Sequence, residues 1–200
     1  MRSAVILVGG EARRANGKEK YLFRYRGKSF IELLIDGLRT VTDEIVIVAR
    51  DPEQCGRFSA FSGIVCTSDI RKGVGPLGGL HAGSLAAHGE YIFVTACDMP
   101  CVNPSVVRYL FEAADGYDAI IPCHNPKMFE PLHAVYRREA LVRYLGEHEA
   151  RSLRDMFHSM RVRYIPVEAL RDMDPALRTF TNINRLDELE QLTKSEDRTS

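Results

Sequence analysis

A chain of 200 residues with 45% hydrophobic and 27% charged residues has the composition of a soluble globular protein. Its 27 basic side chains balance 27 acidic ones, so no overall field attracts nucleic acid or an acidic membrane surface. No stretch approaches the roughly 20 apolar residues of a membrane span, and the N-terminal apolar run is too short for a signal peptide. Five scattered cysteines, an odd number, are typical of unbridged thiols in a reducing cytoplasm. We therefore expect a cytoplasmic protein with one domain over 1–192 and a polar tail over 193–200.

Short apolar runs that alternate with helical patterns predict the first two thirds of the fold. The predicted strands cover residues 3–8, 44–49, 63–67, 91–96 and 118–122. The predicted helices cover 29–38, a short stretch from 51, 75–88 and 103–115. Strands that alternate with helices indicate an α/β protein, here a three-layer, doubly wound and mostly parallel sheet of Rossmann-like type.

The pattern changes after residue 122. Residues 130–136 alternate between polar and apolar side chains, which predicts a half-exposed antiparallel strand inserted at an edge of the sheet. Helices over 138–146 and 152–160 and a strand over 162–167 follow, and a last helix is predicted over 186–192. The chain contains no repeat or linker, which favours a single domain.

The loop after the first strand carries the clearest functional signal. It begins with Gly9 and Gly10, and glycines let main-chain N–H groups approach a ligand closely. Four cations follow within ten residues: Arg13, Arg14, Lys18 and Lys20. A glycine pair after a strand is often only a turn, but with these cations the loop predicts a polyphosphate site.

Polar residues also follow other predicted strands, namely Asp69, Asp98, Asn182 and Asn184. In a parallel sheet these strand ends share one edge, where ligands bind. Aspartates at such positions are often helix caps, yet the helix after Asp98 is predicted to begin only at Pro104. A carboxylate that faces phosphates repels them unless a divalent cation lies between, so Asp98 predicts a Mg²⁺ site.

Known nucleotide motifs leave a second interpretation open. The P-loop motif fails, because six residues rather than four separate Gly10 from Gly17. Residues 73–78 match G-x-G-x-x-G, and Asp98 lies twenty residues beyond, as in dinucleotide-binding dehydrogenases. However, residues 69–72 separate this match from the preceding strand, whereas the fingerprint opens directly from one.

A zinc site is a weaker alternative. Its candidate ligands are Cys97, Cys101, Cys123 and His124, but their spacing does not fit a known zinc motif. His133 lies in the alternating strand and can be an ordinary half-buried histidine or a residue near the cleft.

Five stretches, taken in order, resemble the molybdenum cofactor guanylyltransferase family. The first, Leu7-Val8-Gly9-Gly10 with Arg14 and Lys20-Tyr21-Leu22, resembles the nucleotidyltransferase signature L-A-G-G-x-x-x-R-M-G-x-x-x-K-x-L. Here Val8 replaces alanine, and Ala15-Asn16 replace Met-Gly. The later stretches are Gly75-Pro76-Leu77-Gly78-Gly79, Cys97-Asp98-Met99-Pro100, Glu130-Pro131-Leu132-His133-Ala134-Val135-Tyr136 and Asn182-Ile183-Asn184.

The resemblance implies roles for individual residues. The nucleotide-binding residues would be Leu7, Val8, Gly9, Gly10, Lys20, Asp69, Gly78, Gly79 and Asp98. The catalytic residues would be Arg14, Lys20 and Asp98, with Asp98 also the Mg²⁺ ligand. Asn182 and Asn184 would face the acceptor, a pterin.

The resemblance also implies a reaction, the Mg²⁺-dependent transfer of GMP from GTP to the terminal phosphate of molybdopterin. The products would be molybdopterin guanine dinucleotide and pyrophosphate, and a molybdoenzyme or its chaperone would be a further partner. Related enzymes with the same fold, cobinamide-phosphate guanylyltransferase and molybdopterin cytidylyltransferase, remain open. A non-catalytic nucleotide-binding regulator is the alternative from another class, although such a protein needs no metal-binding carboxylate.

Overall fold

The structure is a computed structural model that describes residues 1–9, 19–70, 75–147, 152–185 and 188. Its strands are β1 (Arg2–Leu7), β2 (Arg24–Tyr25), β3 (Lys28–Ser29), β4 (Glu44–Ala49), β5 (Ile64–Ser68), β6 (Tyr91–Ala96), β7 (Ala119–Asn125), β8 (Met128–Phe129), β9 (His133–Arg137) and β10 (Val162–Pro166). Its α-helices are α1 (Phe30–Leu38), α2 (Pro52–Gly56), α3 (Pro76–Ala86), α4 (Pro104–Glu112), α5 (Arg138–Glu147) and α6 (Leu153–His158). The predicted last helix and polar tail lie outside the described residues, apart from position 188.

One large sheet forms the centre of the molecule, with strand order β10-β7-β9-β6-β1-β4-β5 and with β8 paired to β7. β1 pairs in parallel with β4 and β6, and β4 pairs in parallel with β5. The carboxyl ends of these four strands therefore meet at one edge of the sheet. The predicted α/β class with a mostly parallel sheet is confirmed.

The position predicted for the antiparallel strand is wrong. β9 is antiparallel as expected, but it lies inside the sheet, between β6 and β7. Its polar side chains gave the alternating pattern, yet they are buried and bonded internally: His133 contacts Thr179, and the Tyr136 hydroxyl donates to the Pro131 carbonyl oxygen. Buried polar groups with partners are compatible with an interior strand.

Two apolar layers cover the sheet, one under α1 and α4 and the other under α3 and α5. α3 approaches β1 and β4 closely through glycines. A Cβ at Gly83 would lie 2.4 Å from Val5 Cγ1, so only glycine fits there. Nearer the start of α3, a Cβ at Gly79 would lie 3.2 Å from Leu7 Cδ2, at the carboxyl end of β1. No helix within the described part of the chain is both long and apolar enough to span a membrane.

Local capping explains where several helices begin. Ser29 and Glu32 form a capping box at α1, Asp51 accepts from the Gln54 amide at α2, and Asn103 caps α4. Each cap precedes a helix that the sequence predicted.

The cysteines differ from the expectation of unbridged thiols. Cys55 of α2 and Cys66 of β5 form a disulfide, with their Cα atoms 5.8 Å apart, while Cys97, Cys101 and Cys123 are not disulfide-bonded. An odd number of cysteines does not exclude a pair, and α2 packs beside β5 at the outer edge of the sheet, which brings the two side chains together.

Candidate active site

A cavity of about 320 Å³ opens at the carboxyl edge of the parallel strands. Strand ends and the start of α3 form most of its wall. The lining residues are Leu7, Val8, Gly9, Glu19, Lys20, Tyr21, Val48, Ala49, Gln54, Asp69, Gly75, Pro76, Gly79, Ala96, Cys97, Asp98 and Leu132. Gly9 and Lys20, from the two ends of the predicted polyphosphate loop, therefore border the same space as Asp69 and Asp98.

Lys20 and Asp98 meet at this cavity although they lie 78 positions apart in the chain. The Lys20 Nζ atom is 2.9 Å from Asp98 Oδ2 and donates to Asn184 Oδ1 at 2.6 Å. Both charged side chains are partly shielded, at 22% and 18% exposed. An ammonium, a carboxylate and an amide oxygen thus form a small polar group that a phosphate or a cation can enter.

The turn after β1 is held by main-chain hydrogen bonds. The amides of Val8 and Gly9 both donate to the Val48 carbonyl oxygen, at 3.0 and 3.3 Å. A Cβ at Gly9 would lie 3.0 Å from the Arg50 nitrogen, which explains the glycine by the close approach of β4. Gly9 therefore serves the packing of two strand ends as well as lining the cavity.

The start of α3 forms the opposite side of the cavity. Gly75 has φ +65°, a conformation that favours glycine, and Pro76 occupies the first turn of the helix. Gly79 lines the cavity and Leu7 packs against it, whereas Gly78 is buried in the helix and is not part of the lining. Of the two predicted glycines, Gly79 is thus the one at the cleft.

The two asparagines of the C-terminal motif are separated. The side-chain oxygen of Asn184 accepts from Lys20, and the backbone amide of Asn184 donates to Glu188 Oε2 at 2.7 Å. Asn182 is exposed and lies outside the cavity lining. Between them, the Ile183 amide donates to the Asp98 carbonyl oxygen at 2.8 Å, which attaches this segment to the end of β6.

Asp69 also lines the cavity, and its amide donates to the Ala49 carbonyl oxygen at 2.8 Å. Two predicted residues, Gly10 and Arg14, lie outside the described residues, as does the rest of the basic loop from 10 to 18.

Several lining residues were not predicted as functional, chiefly Glu19, Gln54 and Leu132. Gln54 approaches the cavity through a contact with Glu19 over 35 positions, which the sequence does not reveal. Leu132 lies in a motif that the family resemblance covers, so its position was within reach of sequence reasoning.

Burial shifts the pKa values of Cys97, at the cavity, and of His133, away from it, toward the neutral forms. Burial, followed by the charge of Asp98, raises the pKa of the Cys97 thiol to about 12, so the thiolate is disfavoured at neutral pH. His133 is fully buried away from the cavity lining, and desolvation lowers its pKa to about 3. Across the described ranges no three His, Cys, Asp or Glu side chains cluster as metal ligands, which leaves the zinc hypothesis without support.

The family model and the relatives that match this chain point to the same family. A family model described as the MobA-like NTP transferase domain matches residues 4–163. The "Probable molybdenum cofactor guanylyltransferase" of Methanosarcina mazei is 39% identical over 96% of this chain and 89% of its own length. The molybdenum cofactor guanylyltransferase of Desulfosudis oleivorans is 34% identical over 94% of this chain and 93% of its own.

A solved structure agrees with these relatives. Molybdopterin-guanine dinucleotide biosynthesis protein A from Archaeoglobus fulgidus has a TM-score of 0.80 and is 34% identical, covering 99% of this chain and 100% of that protein. The family model covers Lys20 and Asp98 but ends before Asn182 and Asn184, whereas the match to the solved structure covers 99% of the chain. The chain belongs to the MobA-like NTP transferases and is a nucleotidyltransferase.

Proposed function

We propose that the protein transfers GMP from GTP to the terminal phosphate of molybdopterin, with Mg²⁺ bound at Asp98. The products are molybdopterin guanine dinucleotide and pyrophosphate. The names of the relatives support the acceptor and the base, since two of them are molybdenum cofactor guanylyltransferases. The contact between Lys20 and Asp98 at one cavity is the structural observation on which the proposal depends.

The reaction needs positioning and charge neutralisation more than proton transfer. A phosphate monoester is largely dianionic at neutral pH, because its second pKa is about 6, so the acceptor oxygen is already a nucleophile. That oxygen forms a bond to the α-phosphorus of GTP, and the bond from the α-phosphorus to the bridging oxygen breaks to release pyrophosphate. The Lys20 ammonium, which already bonds to two oxygen atoms, offsets the negative charge that these phosphates bring together.

The residues at the cavity suit a divalent cation. The Asp98 carboxylate is mostly buried and holds a cationic group, the Lys20 ammonium, in the free protein. Carboxylate oxygen is a preferred Mg²⁺ ligand, and Mg²⁺ is commonly held by one or two carboxylates with phosphate oxygens and water. Asp98 would hold the ion, with Asp69 at the same cavity as a second carboxylate. When bound, the ion supplies a positive charge that polarises the phosphates and shields their repulsion.

Different residues around the cavity would contact the nucleotide and the acceptor. The nucleotide would contact Leu7, Val8 and Gly9 with Asp69 and Gly79, all of which line the space. Asn182 would face the acceptor from the exposed side, while Asn184 acts through Lys20. Gly10 and Arg14 keep their predicted roles in the phosphate-binding loop, and a molybdoenzyme or its chaperone stays a predicted recipient.

A pyrophosphate-release assay tests the proposal. Purified protein with Mg²⁺ is given GTP, CTP, ATP or UTP, each with molybdopterin, with cobinamide phosphate or with no acceptor. We expect release only with GTP and molybdopterin together, and a product with the mass of molybdopterin guanine dinucleotide. Release with CTP would show that the proposed base is wrong, and release with cobinamide phosphate would show that the proposed acceptor is wrong. Tight nucleotide binding without release would favour a non-catalytic nucleotide-binding regulator.

A further inference from the structure

One carboxylate next to Lys20 collects hydrogen bonds from separate parts of the chain. Glu19 Oε2 accepts from the Tyr21 hydroxyl at 2.5 Å and from Arg57 Nη1 at 2.5 Å. Glu19 Oε1 accepts from Gln54 Nε2 at 3.1 Å. The Glu19 side chain is 15% exposed, whereas its partner Arg57 is 47% exposed. The nucleotide-transfer scheme above gives this carboxylate no role.

The donors that hold Glu19 are themselves fixed. Gln54 is 1% exposed, and its Oε1 atom accepts from the Arg50 amide at 2.7 Å. Its position is set by the first turn of α2, where Asp51 caps the helix. The Tyr21 ring packs on Phe58 with ring centroids 5.0 Å apart. Glu19 is therefore anchored to a rigid part of the molecule, at the end of β4 and along α2.

This anchor lies one residue before Lys20. A lysine side chain has four rotatable bonds, and holding it in one conformation costs about 2 kcal/mol of rotamer entropy. The Lys20 ammonium contacts Asp98 and Asn184 while the preceding residue, Glu19, is hydrogen-bonded to Gln54 and Arg57 of the α2 region. Among the described residues, Lys20 is flanked by Glu19 on one side and by the rest of the short 3₁₀ turn Lys20–Leu22 on the other.

We propose that Glu19 is a positioning residue for nucleotidyl transfer, because its carboxylate holds the Lys20 backbone where the ammonium meets the phosphates. The inference rests on the proposed function. Glu19 itself does not contact the substrate. Glu19 acts through Lys20, so removal of its carboxylate matters only while Lys20 is present.

A double-mutant cycle tests this dependence. We expect Glu19→Ala to lower kcat/KM for GTP about tenfold in the wild-type background, within the coupling range of residues in contact. In the Lys20→Ala background the same change should cost less than twofold. An equal loss in both backgrounds would show a general structural role and overturn the proposal, as would no loss in the wild-type background.

Two further variants keep the test interpretable. Glu19→Gln retains the size of the side chain and removes its charge, and it replaces Glu19→Ala in the cycle if the alanine variant does not fold. Glu53→Gln is the matched control, because Glu53 also pairs with Arg57, at 3.3 Å, but is 85% exposed and does not line the cavity. We expect its kinetics to equal those of the wild type. If the wild type transfers no nucleotide, the proposed function fails; if it does and the cycle is additive, only the role of Glu19 fails.

Discussion

Opposite kinds of interaction hold two regions that meet at the cavity. The nucleotide wall, residues 19–21 with Arg50, Gln54 and Arg57, is held by charged contacts around Glu19. The return segment, residues 174–184, brings Asn184 back to Lys20 and is held mainly by hydrogen bonds that involve neutral groups. The charged contacts of the first region are partly exposed, whereas the central contacts of the second are buried.

Thr179 is the centre of the return segment. The Thr179 hydroxyl lies 2.8 Å from His133 Nε2 and accepts from the backbone amide of Asn103 at 3.1 Å. Its own amide donates to Asp174 Oδ2 at 2.8 Å, and the Thr179 side chain has no exposed surface. Because Asn103 also caps α4, this segment is fixed to the interior of the fold.

The difference indicates which contacts a ligand can replace. A partly exposed ion pair contributes little net stability, so Lys20 can exchange its protein partners for phosphate at small cost. A buried neutral hydrogen bond is expensive to break, because each separated group loses its partner without gaining water. We infer that the Lys20 side chain changes partners during the reaction, while its backbone and the return segment stay in place.

The largest expected effect is that of Asp98→Ala on turnover. Loss of the carboxylate removes the proposed Mg²⁺ ligand and the partner of Lys20, so we expect kcat/KM to fall about 10²- to 10³-fold, as for loss of one electrostatic transition-state contact. The melting temperature should stay within a few degrees of the wild type, because the pair is partly exposed.

Asp36→Ala provides the control for that variant. It also removes an aspartate–lysine pair, with Lys28 at 2.6 Å, but on an exposed surface away from the cavity. Its turnover should be unchanged. Near-normal turnover in Asp98→Ala would contradict the metal assignment.

Thr179→Val should act on stability. The valine leaves His133 Nε2 and the Asn103 amide without their buried partner, and such losses cost about 1–3 kcal/mol each. We therefore expect the free energy of unfolding to fall by about 2–3 kcal/mol, measured by denaturant titration. Thr40→Val is the matched control, since the Thr40 hydroxyl donates to the Gly37 carbonyl oxygen on an exposed surface. A loss of the same size in both variants would show that burial of the network is irrelevant.

The sequence predicted the strands and the helix that border the cavity better than it predicted the return segment. Periodicity and glycines placed β1, β4 and α3 close to their observed bounds, because apolar runs and local caps are read from neighbouring residues. The family resemblance then selected Lys20 and Asp98, which the structure brings together. The contact itself spans 78 positions, and only the common edge of the parallel strands made it predictable.

The return segment shows why the rest was missed. The sequence predicts His133 to be a half-buried residue or one near the cleft, since an alternating polar pattern does not distinguish a solvent-facing side chain from one bonded inside the core. Its partner Thr179 lies 46 positions further along the chain, outside any periodic pattern. The hydrogen bonds of Glu19 to Gln54 and Arg57 were hidden for the same reason.

The smallest expected effect distinguishes the two regions by pH. Burial lowers the pKa of His133 to about 3 in the folded protein, against about 6.5 in the unfolded chain. The unfolded chain therefore binds a proton below pH 6.5 that the folded protein does not. Stability from this residue is complete above pH 6.5 and declines as the pH falls toward 3. Between pH 7 and pH 5 the expected loss is about 2 kcal/mol.

A second variant isolates this loss from the titration of other groups. His133→Gln cannot take up the proton and keeps a polar atom for Thr179, so its unfolding free energy should fall less between pH 7 and pH 5, by about 2 kcal/mol. The variant can be less stable at both pH values, since only the difference between them matters. Equal pH dependence in the two proteins would mean that His133 is accessible to protons in the folded state. The return segment would then be held no more firmly than the ionic contacts around Lys20.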